Sequence, residues 1–206
     1  IGCDLDISRT DCIKKLYKVL EKSVVPEEYA IFKRDGSLDD VSGFEIVTRP
    51  DCPSVHKRIF GKVLETDLSG YMSSYDNGHC GIHIHVSRET LSPLWIGRML
   101  VLINSKDMYD VIRKVAGRGS NSYTKVMDKK LTDCMSLDAD RYEALNITGK
   151  KTIEFRIFRG TLNRESFLKN IEFVEAVLEY TRPATRSLKD VDKPSKFIEF
   201  VLNKKQ

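Results

Sequence analysis

The chain has 206 residues, of which 41% are hydrophobic and 31% charged, and these proportions predict a soluble globular protein with its own core. Thirty-four basic residues oppose 30 acidic ones, so the net charge of +4 does not demand a nucleic-acid partner. The sequence has no apolar run near the ~20 residues that span a bilayer. It also has no charged-then-apolar leader, so we expect neither a membrane protein nor secretion.

Five cysteines are spread widely along the chain, and none of them belongs to a Cys-x-x-Cys pair. The odd number and the wide spacing argue against a disulfide framework and against a thiolate zinc site. We therefore expect a cytoplasmic protein in a reducing compartment.

The first predicted element is a strand at Ile1–Ile7, in which Asp4 and Asp6 lie on the face opposite the apolar residues. Aspartate is a poor strand former. Two of them on one face indicate either an edge strand with solvated acids or a pair of metal-binding carboxylates. A helix capped by Thr10 or Asp11 follows and ends near residue 21.

Two further strands and a helix are predicted before the middle of the chain. The strands are Tyr29–Lys33 and Ser42–Thr48, and in the second of them Glu45 lies on the face opposite the core. A helix near Ser54–Thr66 comes next, because two prolines end the strand before it. The polar, glycine-containing segment Asp67–His79 is predicted to be a loop.

Alternation in Cys80–Ser87 predicts a strand whose second face carries His83 and His85. A single histidine on a strand is more often structural than a ligand. Two histidines at this spacing project from one face, where both imidazoles can converge on one metal ion.

The next part of the chain predicts two helices and a long irregular segment. The first helix starts at Ser92 and reaches about Ser105, and the second continues to Ala116. Residues 117–139 have no regular pattern and are predicted to form a lid or binding loop. The glycine-rich run inside this segment lacks the Gly-Lys-Ser/Thr ending of a phosphate-binding loop.

A hairpin and a long helix complete the predicted domain. Arg141–Thr148 and Thr152–Phe158 are predicted strands joined by a short turn. In the second strand Glu154 and Arg156 share the face opposite the apolar residues, together with Thr152 and Phe158. An amphipathic helix then covers Asn163–Thr181. We predict one domain over residues 1–182, followed by a linker and a terminal helix over 183–206.

Four predicted strands therefore combine an apolar face with a face of acids, histidines and an arginine. If they belong to one sheet, these side chains lie together, and burying so many carboxylates is unfavourable unless cations neutralise them. Oxygen ligands with one or two histidines suit Mg²⁺ or Mn²⁺. Such ions beside arginines are what nucleotide phosphates require. The residues concerned are Asp4, Asp6, Glu45, His83, His85, Glu154 and Arg156.

Three motifs in this order resemble those of the amidoligase family. They are CGIHIHVS at Cys80–Ser87, RYEALN at Arg141–Asn146 and TIEFRIFRGTL at Thr152–Leu162. The glycine-containing segment at Gly36–Leu38, followed by Gly43–Thr48, resembles another motif of that family. The resemblance covers most of residues 1–178, and the ordered combination is more specific than any one motif.

The resemblance implies a fold and a reaction. Members of the family are carboxylate–amine ligases with the glutamine synthetase fold. The implied architecture is α+β, with a mainly antiparallel sheet covered by helices on one face and forming a concave metal and nucleotide site on the other. The implied reaction uses ATP and Mg²⁺ or Mn²⁺ to convert a small-molecule or peptide carboxylate into an acyl phosphate. An amine then attacks that intermediate to form an amide or peptide bond.

The resemblance also implies roles for individual residues. The metal ligands would be Asp4, Asp6, Glu45, His83 and Glu154. Contacts to the nucleotide would come from His85, Arg118 and Arg156, and the catalytic set would be Arg141, Asn146, Arg156 and Arg159. The family begins with Glu-x-Glu on its first strand, whereas this chain has the shorter aspartates, which either tune the site or indicate that catalysis has been lost.

Two other functions are compatible with the sequence. The first is a catalytically degenerate member of the same fold that binds a nucleic acid or a protein, since fold does not fix function. The second is a metal-dependent nicking endonuclease, in which the histidine pair binds the metal and Tyr109 or Tyr123 is the nucleophile. The endonuclease hypothesis leaves Glu45, Glu154 and Arg156 without a role.

Overall fold

The computed structural model describes residues 2–3, 8–34, 43–74, 80–121, 124–135, 140–182 and 188–204. The chain divides into two compact units: Ile1–Gly81 with Arg159–Ile171, and Ile82–Phe158 with Glu172–Gln206. Helices combine with short antiparallel sheets, which confirms the α+β class. Within these residues, every helix is too short or too polar to cross a membrane.

In the first unit, helices and two small sheets contribute residues to one core. Its elements in chain order are β1 (Gly2–Cys3), α1 (Arg9–Leu20), α2 (Pro26–Tyr29), β2 (Ala30–Arg34), β3 (Phe44–Thr48), α3 (Pro53–Val63) and β4 (Met72–Ser73). Strand β1 pairs with β4, and β2 pairs antiparallel with β3. The buried core residues include Leu16, Leu20, Phe44, Ile59 and Met72.

The second unit carries the larger core. Its elements are β5 (Gly81–Ser87), α4 (Pro93–Asn104), α5 (Tyr109–Ala116), β6 (Leu145–Asn146), β7 (Thr152–Arg159), α6 (Arg164–Thr181) and α7 (Pro194–Asn203), with short 3-10 helices at Leu131–Met135 and Leu188–Asp190. Three of them, β5, β7 and α6, have residues that belong to the first unit. Helix α4 is largely apolar and mostly buried. Helix α7, predicted as part of a separate tail, packs into this core through Phe197, whose ring meets those of Phe173 and Tyr180 edge to face.

Capping residues mark where several helices begin or end. Helix α1 begins one residue before the predicted cap, because the side chain of Ser8 accepts a hydrogen bond from the backbone N–H of Asp11 at 3.2 Å. Ser92 caps α4 in the same way, and proline occupies the first turn there. Gly117 ends α5 in the left-handed conformation, with φ of 73°, which a side chain would make unfavourable.

A three-stranded sheet in the order β5–β7–β6 positions the motif residues. Strand β6 pairs antiparallel with β7, with Leu145 opposite Phe155 and Asn146 opposite Glu154. The N–H of Arg88 donates to the carbonyl of Lys151 just beyond one end of β5, which fixes the pairing of β5 with β7 there. The predicted hairpin is therefore confirmed.

Two predictions about strands are wrong in part. Of the strand expected at Arg141–Thr148, only Leu145–Asn146 is extended. Asp140 closes a turn at its start, because its carboxylate accepts from the backbone N–H of Tyr142 and its carbonyl oxygen accepts from that of Glu143. Phe158 was expected on the polar face of β7, but it is fully buried and packs edge to face on Phe173.

The strands with polar faces do not all belong to one sheet. Strand β3, which carries Glu45, pairs with β2 and not with β5, β6 or β7. At the start of the chain only Gly2–Cys3 is described as strand, and Asp4 and Asp6 lie outside the described residues. The sheet that positions the remaining motif residues is therefore the three-stranded one.

Candidate functional site

Glu154 is the centre of a polar cluster on the three-stranded sheet. It lies in the middle of β7, which is the central strand, so that side chains from β5 and β6 flank it. The register of β6 places Asn146 directly opposite it. Arg156 lies two residues further along and therefore projects from the same face. We call Glu154, His83, His85, Asn146 and Arg156 the Glu154 cluster.

Both carboxylate oxygens of Glu154 accept hydrogen bonds from nitrogen donors. Nδ1 of His83 lies 2.9 Å from Oε1, and Nη1 of Arg156 lies 2.7 Å from the same oxygen. Nδ2 of Asn146 donates to Oε2 at 2.9 Å. Donors from three strands thus fix one carboxylate.

Burial and neighbouring charges act in opposite directions on Glu154, which is only 8% exposed. Burial by itself raises the pKa of a carboxyl group. Here the hydrogen bonds from His83 and Asn146, with the charges of His83 and Arg156, outweigh burial and lower the pKa from 4.5 to about 2. The carboxylate is therefore ionised throughout the neutral range.

The two histidines of β5 differ in how closely they approach this carboxylate. His83 makes the direct 2.9 Å contact, and its side chain is 34% exposed. Nε2 of His85 is 3.8 Å from Glu154, which is too long for a hydrogen bond, and Nδ1 of His85 lies 3.2 Å from the hydroxyl of Thr152. His85 is the more exposed of the pair.

Asn146 links the cluster to the turn of the hairpin. Its amide nitrogen donates to Glu154, and its Oδ1 accepts from both the backbone N–H and the hydroxyl of Thr148. An aspartate at this position could not donate to Glu154, because an ionised carboxylate is only an acceptor. The predicted importance of this asparagine thus has a structural basis.

Three of the predicted arginines lie in the second unit and have different surroundings. The guanidinium of Arg156 lies 5.8 Å from the ring centre of Tyr142, and that of the exposed Arg141 lies 4.8 Å from the same ring. Arg118 donates to the backbone carbonyls of Arg156 and Ile157, beyond the end of the short strand β6. Arg118 thus takes the place of a pairing strand at that edge of β7.

The structure does not bring the other predicted residues into the cluster. Glu45 is exposed on β3 of the first unit, and Arg159 is exposed at the end of β7. Burial, followed by the nearby charge of Arg159, lowers the pKa of Lys169 on α6. Asp4 and Asp6 fall outside the described residues, so their predicted metal-binding role stays a prediction.

The described residues do not fit a metal ion as they stand. Across the described ranges, no group of three or more His, Cys, Asp or Glu side chains is arranged to hold one. The reason is visible at Glu154, where a guanidinium and an imidazole occupy the positions beside Oε1 that a cation would need. The reaction proposed below therefore assigns no step to a metal ion.

The endonuclease hypothesis named two tyrosines as nucleophiles, and the structure describes one of them. Tyr109 is 37% exposed at the start of α5 and lines a small cleft with Arg118 and Thr124. Tyr123 lies outside the described residues. In the predicted lid, Leu131–Met135 forms a 3-10 helix that packs against α4, so part of this segment is built into the core.

Three side chains at the site were given no role in the sequence analysis. Tyr142 lies beside two arginines, and Thr152 contacts His85. Arg88, at the end of β5, donates to the carbonyls of Ile147 and Gly149 and so fixes the hairpin turn. The position of Tyr142 next to Arg141 within one motif was the available signal for it. No local pattern indicates the partners of Arg88.

Comparisons with models of protein families, with curated proteins and with solved structures found no match.

Proposed function

We propose that the chain is an ATP-dependent carboxylate–amine ligase with a glutamine synthetase-like site, in which the Glu154 cluster handles the phosphate groups. The observation that carries this proposal is the convergence of the motifs on one carboxylate. The residues come from three strands and are those that the resemblance to amidoligases selects: His83, His85, Asn146, Glu154 and Arg156.

The proposed reaction has two steps. The terminal phosphate of ATP is transferred to a substrate carboxylate, which gives an acyl phosphate and ADP. An amine nitrogen then attacks the acyl carbon and a C–N bond forms. The C–O bond to phosphate breaks, the nitrogen loses one proton, and phosphate leaves as hydrogen phosphate. Both steps concentrate negative charge on phosphate oxygens, which fixed cationic donors stabilise.

Arg156 is the proposed source of that stabilisation. Its side chain is 13% exposed, so its charge is only partly screened by water. The 2.7 Å hydrogen bond to Glu154 fixes the plane of the guanidinium before any ligand arrives. His85, which is more exposed, and Arg141 remain the proposed additional contacts to anionic groups.

Calorimetric titration with ATP, with and without Mg²⁺, tests this proposal. We expect wild-type protein to bind ATP and Arg156→Ala to bind it about 10- to 100-fold more weakly, because a hydrogen bond to a charged group contributes about 1.5–3 kcal/mol. Arg113→Ala is the matched control, since Arg113 is an exposed arginine of the same unit that pairs with Asp110. Absence of binding heat in the wild type, or equal affinities for the two variants, would contradict the proposal.

A chemical trap tests the intermediate. Hydroxylamine replaces the unknown amine and converts an acyl phosphate into a stable hydroxamate. We expect protein incubated with ATP, Mg²⁺, hydroxylamine and a mixture of carboxylic acids to yield a hydroxamate together with ADP. If the protein binds ATP but forms no hydroxamate with a broad panel of acids, the proposed ligase reaction is refuted and the proposed ATP binding is retained.

A second candidate function is a non-catalytic protein of the same fold that binds nucleic acid. The observation that favours it is the engagement of both Glu154 oxygens by nitrogen donors, which suits a structural carboxylate. It predicts that retention of single-stranded nucleic acid survives Glu154→Ala and His83→Ala. Loss of retention in both variants, with the fold intact, would count against it.

A further inference from the structure

The contact between Glu154 and His83 determines where the imidazole proton lies. Nδ1 of His83 is 2.9 Å from Oε1 of Glu154. An ionised carboxylate can only accept hydrogen bonds, so the nitrogen facing it must carry the hydrogen. Neutral imidazole has one N–H, and the other ring nitrogen then holds a lone pair. In the neutral ring, Nε2 of His83 is therefore an acceptor.

The carboxylate cannot easily turn away from this arrangement. Arg156 donates to the same oxygen that His83 contacts, and Asn146 donates to the other one. Asn146 is itself held by Thr148 through its own oxygen. Rotation of the Glu154 side chain would break hydrogen bonds at a residue that is only 8% exposed.

His85 provides an internal comparison. Its Nε2 lies 3.8 Å from Glu154, and its Nδ1 faces a hydroxyl, which can either donate or accept. The surroundings of His85 therefore do not impose one tautomer. The carboxylate distinguishes the two histidines, although they occupy equivalent positions on the same strand face.

We propose that Glu154 is a positioning residue which holds His83 in the Nδ1–H form, so that Nε2 receives the N–H of the amine substrate. This inference rests on the proposed function, because it names the part of the ligase substrate that His83 contacts. A lone pair on Nε2 accepts from an amine, whereas it repels the oxygens of a phosphate. It differs from the roles implied by the resemblance, in which Glu154 and His83 are both metal ligands.

Nitrogen NMR on protein with ¹⁵N-labelled histidine tests the tautomer directly. The chain has only four histidines, so His83→Gln and His85→Gln assign the rings. Spectra are recorded near pH 8.5, about two units above the ordinary imidazole pKa. We expect the hydrogen of His83 on Nδ1 in the wild type. We expect a mixed population in Glu154→Ala and retention of the Nδ1–H form in Glu154→Gln, whose amide oxygen can still accept.

The controls make this result specific. The tautomer ratio of His85 should change much less than that of His83 in both Glu154 variants, because its Nε2 lies 3.8 Å from the carboxylate and makes no hydrogen bond to it. A hydrogen on Nε2 of His83 in the wild type overturns the proposal without any variant. An unchanged His83 spectrum in folded Glu154→Ala overturns it as well, since the carboxylate would then not set the tautomer.

Titration with methylammonium and with inorganic phosphate tests the ligand class. Methylammonium should move the Nε2 resonance of His83, and phosphate should not. Movement with phosphate or with Mg²⁺ alone, or no movement with methylammonium, overturns the amine assignment. None of these measurements needs ATP, so failure of ATP binding in calorimetry refutes the proposed ligase and leaves the tautomer result standing.

Discussion

Replacing Glu154 by glutamine should change how stability depends on pH. The carboxyl pKa is lowered from 4.5 to about 2, and each tenfold change in an acid equilibrium corresponds to about 1.4 kcal/mol. Because the folded-state pKa is the lower one, the ionised carboxylate stabilises the protein by about 3 kcal/mol above the unfolded pKa. That contribution is lost as the pH falls from about 4.5 towards 2. At pH 3 about 2 kcal/mol of it should already be gone.

Urea unfolding at pH 6 and pH 3 measures this effect. Trp95 is the only tryptophan, lies in the same unit as Glu154, and donates its indole N–H to the carbonyl of Leu178. Its fluorescence therefore follows unfolding of the relevant unit. Between the two pH values, we expect the wild type to lose about 2 kcal/mol more unfolding free energy than Glu154→Gln loses.

The control for Glu154→Gln is the same substitution at an exposed glutamate. Glu172→Gln removes one exposed carboxylate from α6 and controls for the change in net charge. Other acids titrate in all three proteins and cancel in the comparison. Equal losses in the wild type and Glu154→Gln would refute the reasoning, because Glu154 would then not be held ionised by its neighbours.

Three further substitutions should destabilise the second unit, measured by urea unfolding followed by far-ultraviolet circular dichroism. Gly97→Ala should cost about 1–3 kcal/mol, because its Cβ would lie 2.6 Å from the carbonyl oxygen of Leu131. Gly117→Ala should cost about 1–2 kcal/mol, because φ is 73° there. Lys129→Ala should cost about 3–5 kcal/mol, because it removes the cationic partner of the Glu143 carboxylate, which is only 4% exposed.

Each of these substitutions has a control of the same type. Gly61→Ala, also within a helix, meets only a flexible arginine side chain at 3.7 Å and should be neutral or stabilising. Gly70→Ala meets no atom within 4 Å and should change stability little. Lys125→Ala breaks an exposed ion pair with Asp140 and should cost at most about 1 kcal/mol. A control as costly as its partner would contradict the corresponding argument.

Strands β5 and β7 were predictable because alternating apolar and polar residues indicate a strand with one buried face. β5 and β7 were each predicted to within one residue at both ends, and the hairpin joining β6 to β7 was predicted from its turn. The same rule failed at Phe158, because β7 buries side chains on both faces near its end. It failed again before Leu145, where hydrogen bonds donated by the backbone N–H groups of Tyr142 and Glu143 to Asp140 hold a turn.

The sequence predicted which polar residues lie on the faces of β5 and β7, but it did not predict which of them contact one another. Spacing alone places His83 with His85 and Glu154 with Arg156 on common faces. Strands β5 and β6 pair on either side of β7, and this pairing determines which donors reach the carboxylate of Glu154. They are His83 and Asn146. Spacing within one strand carries no information about the register of its neighbours.

The sequence by itself determined the α+β class, the two-residue periodicity of β5 and β7 and the identity of the polar residues on their faces, because side-chain direction follows from local backbone geometry. Only the tertiary structure decided that Glu154 is buried, with its oxygens occupied by nitrogen donors, and that Glu45 belongs to a different sheet. Burial and partner choice depend on strand pairing between distant segments. That pairing brings an imidazole, an amide and a guanidinium together on the carboxylate of Glu154.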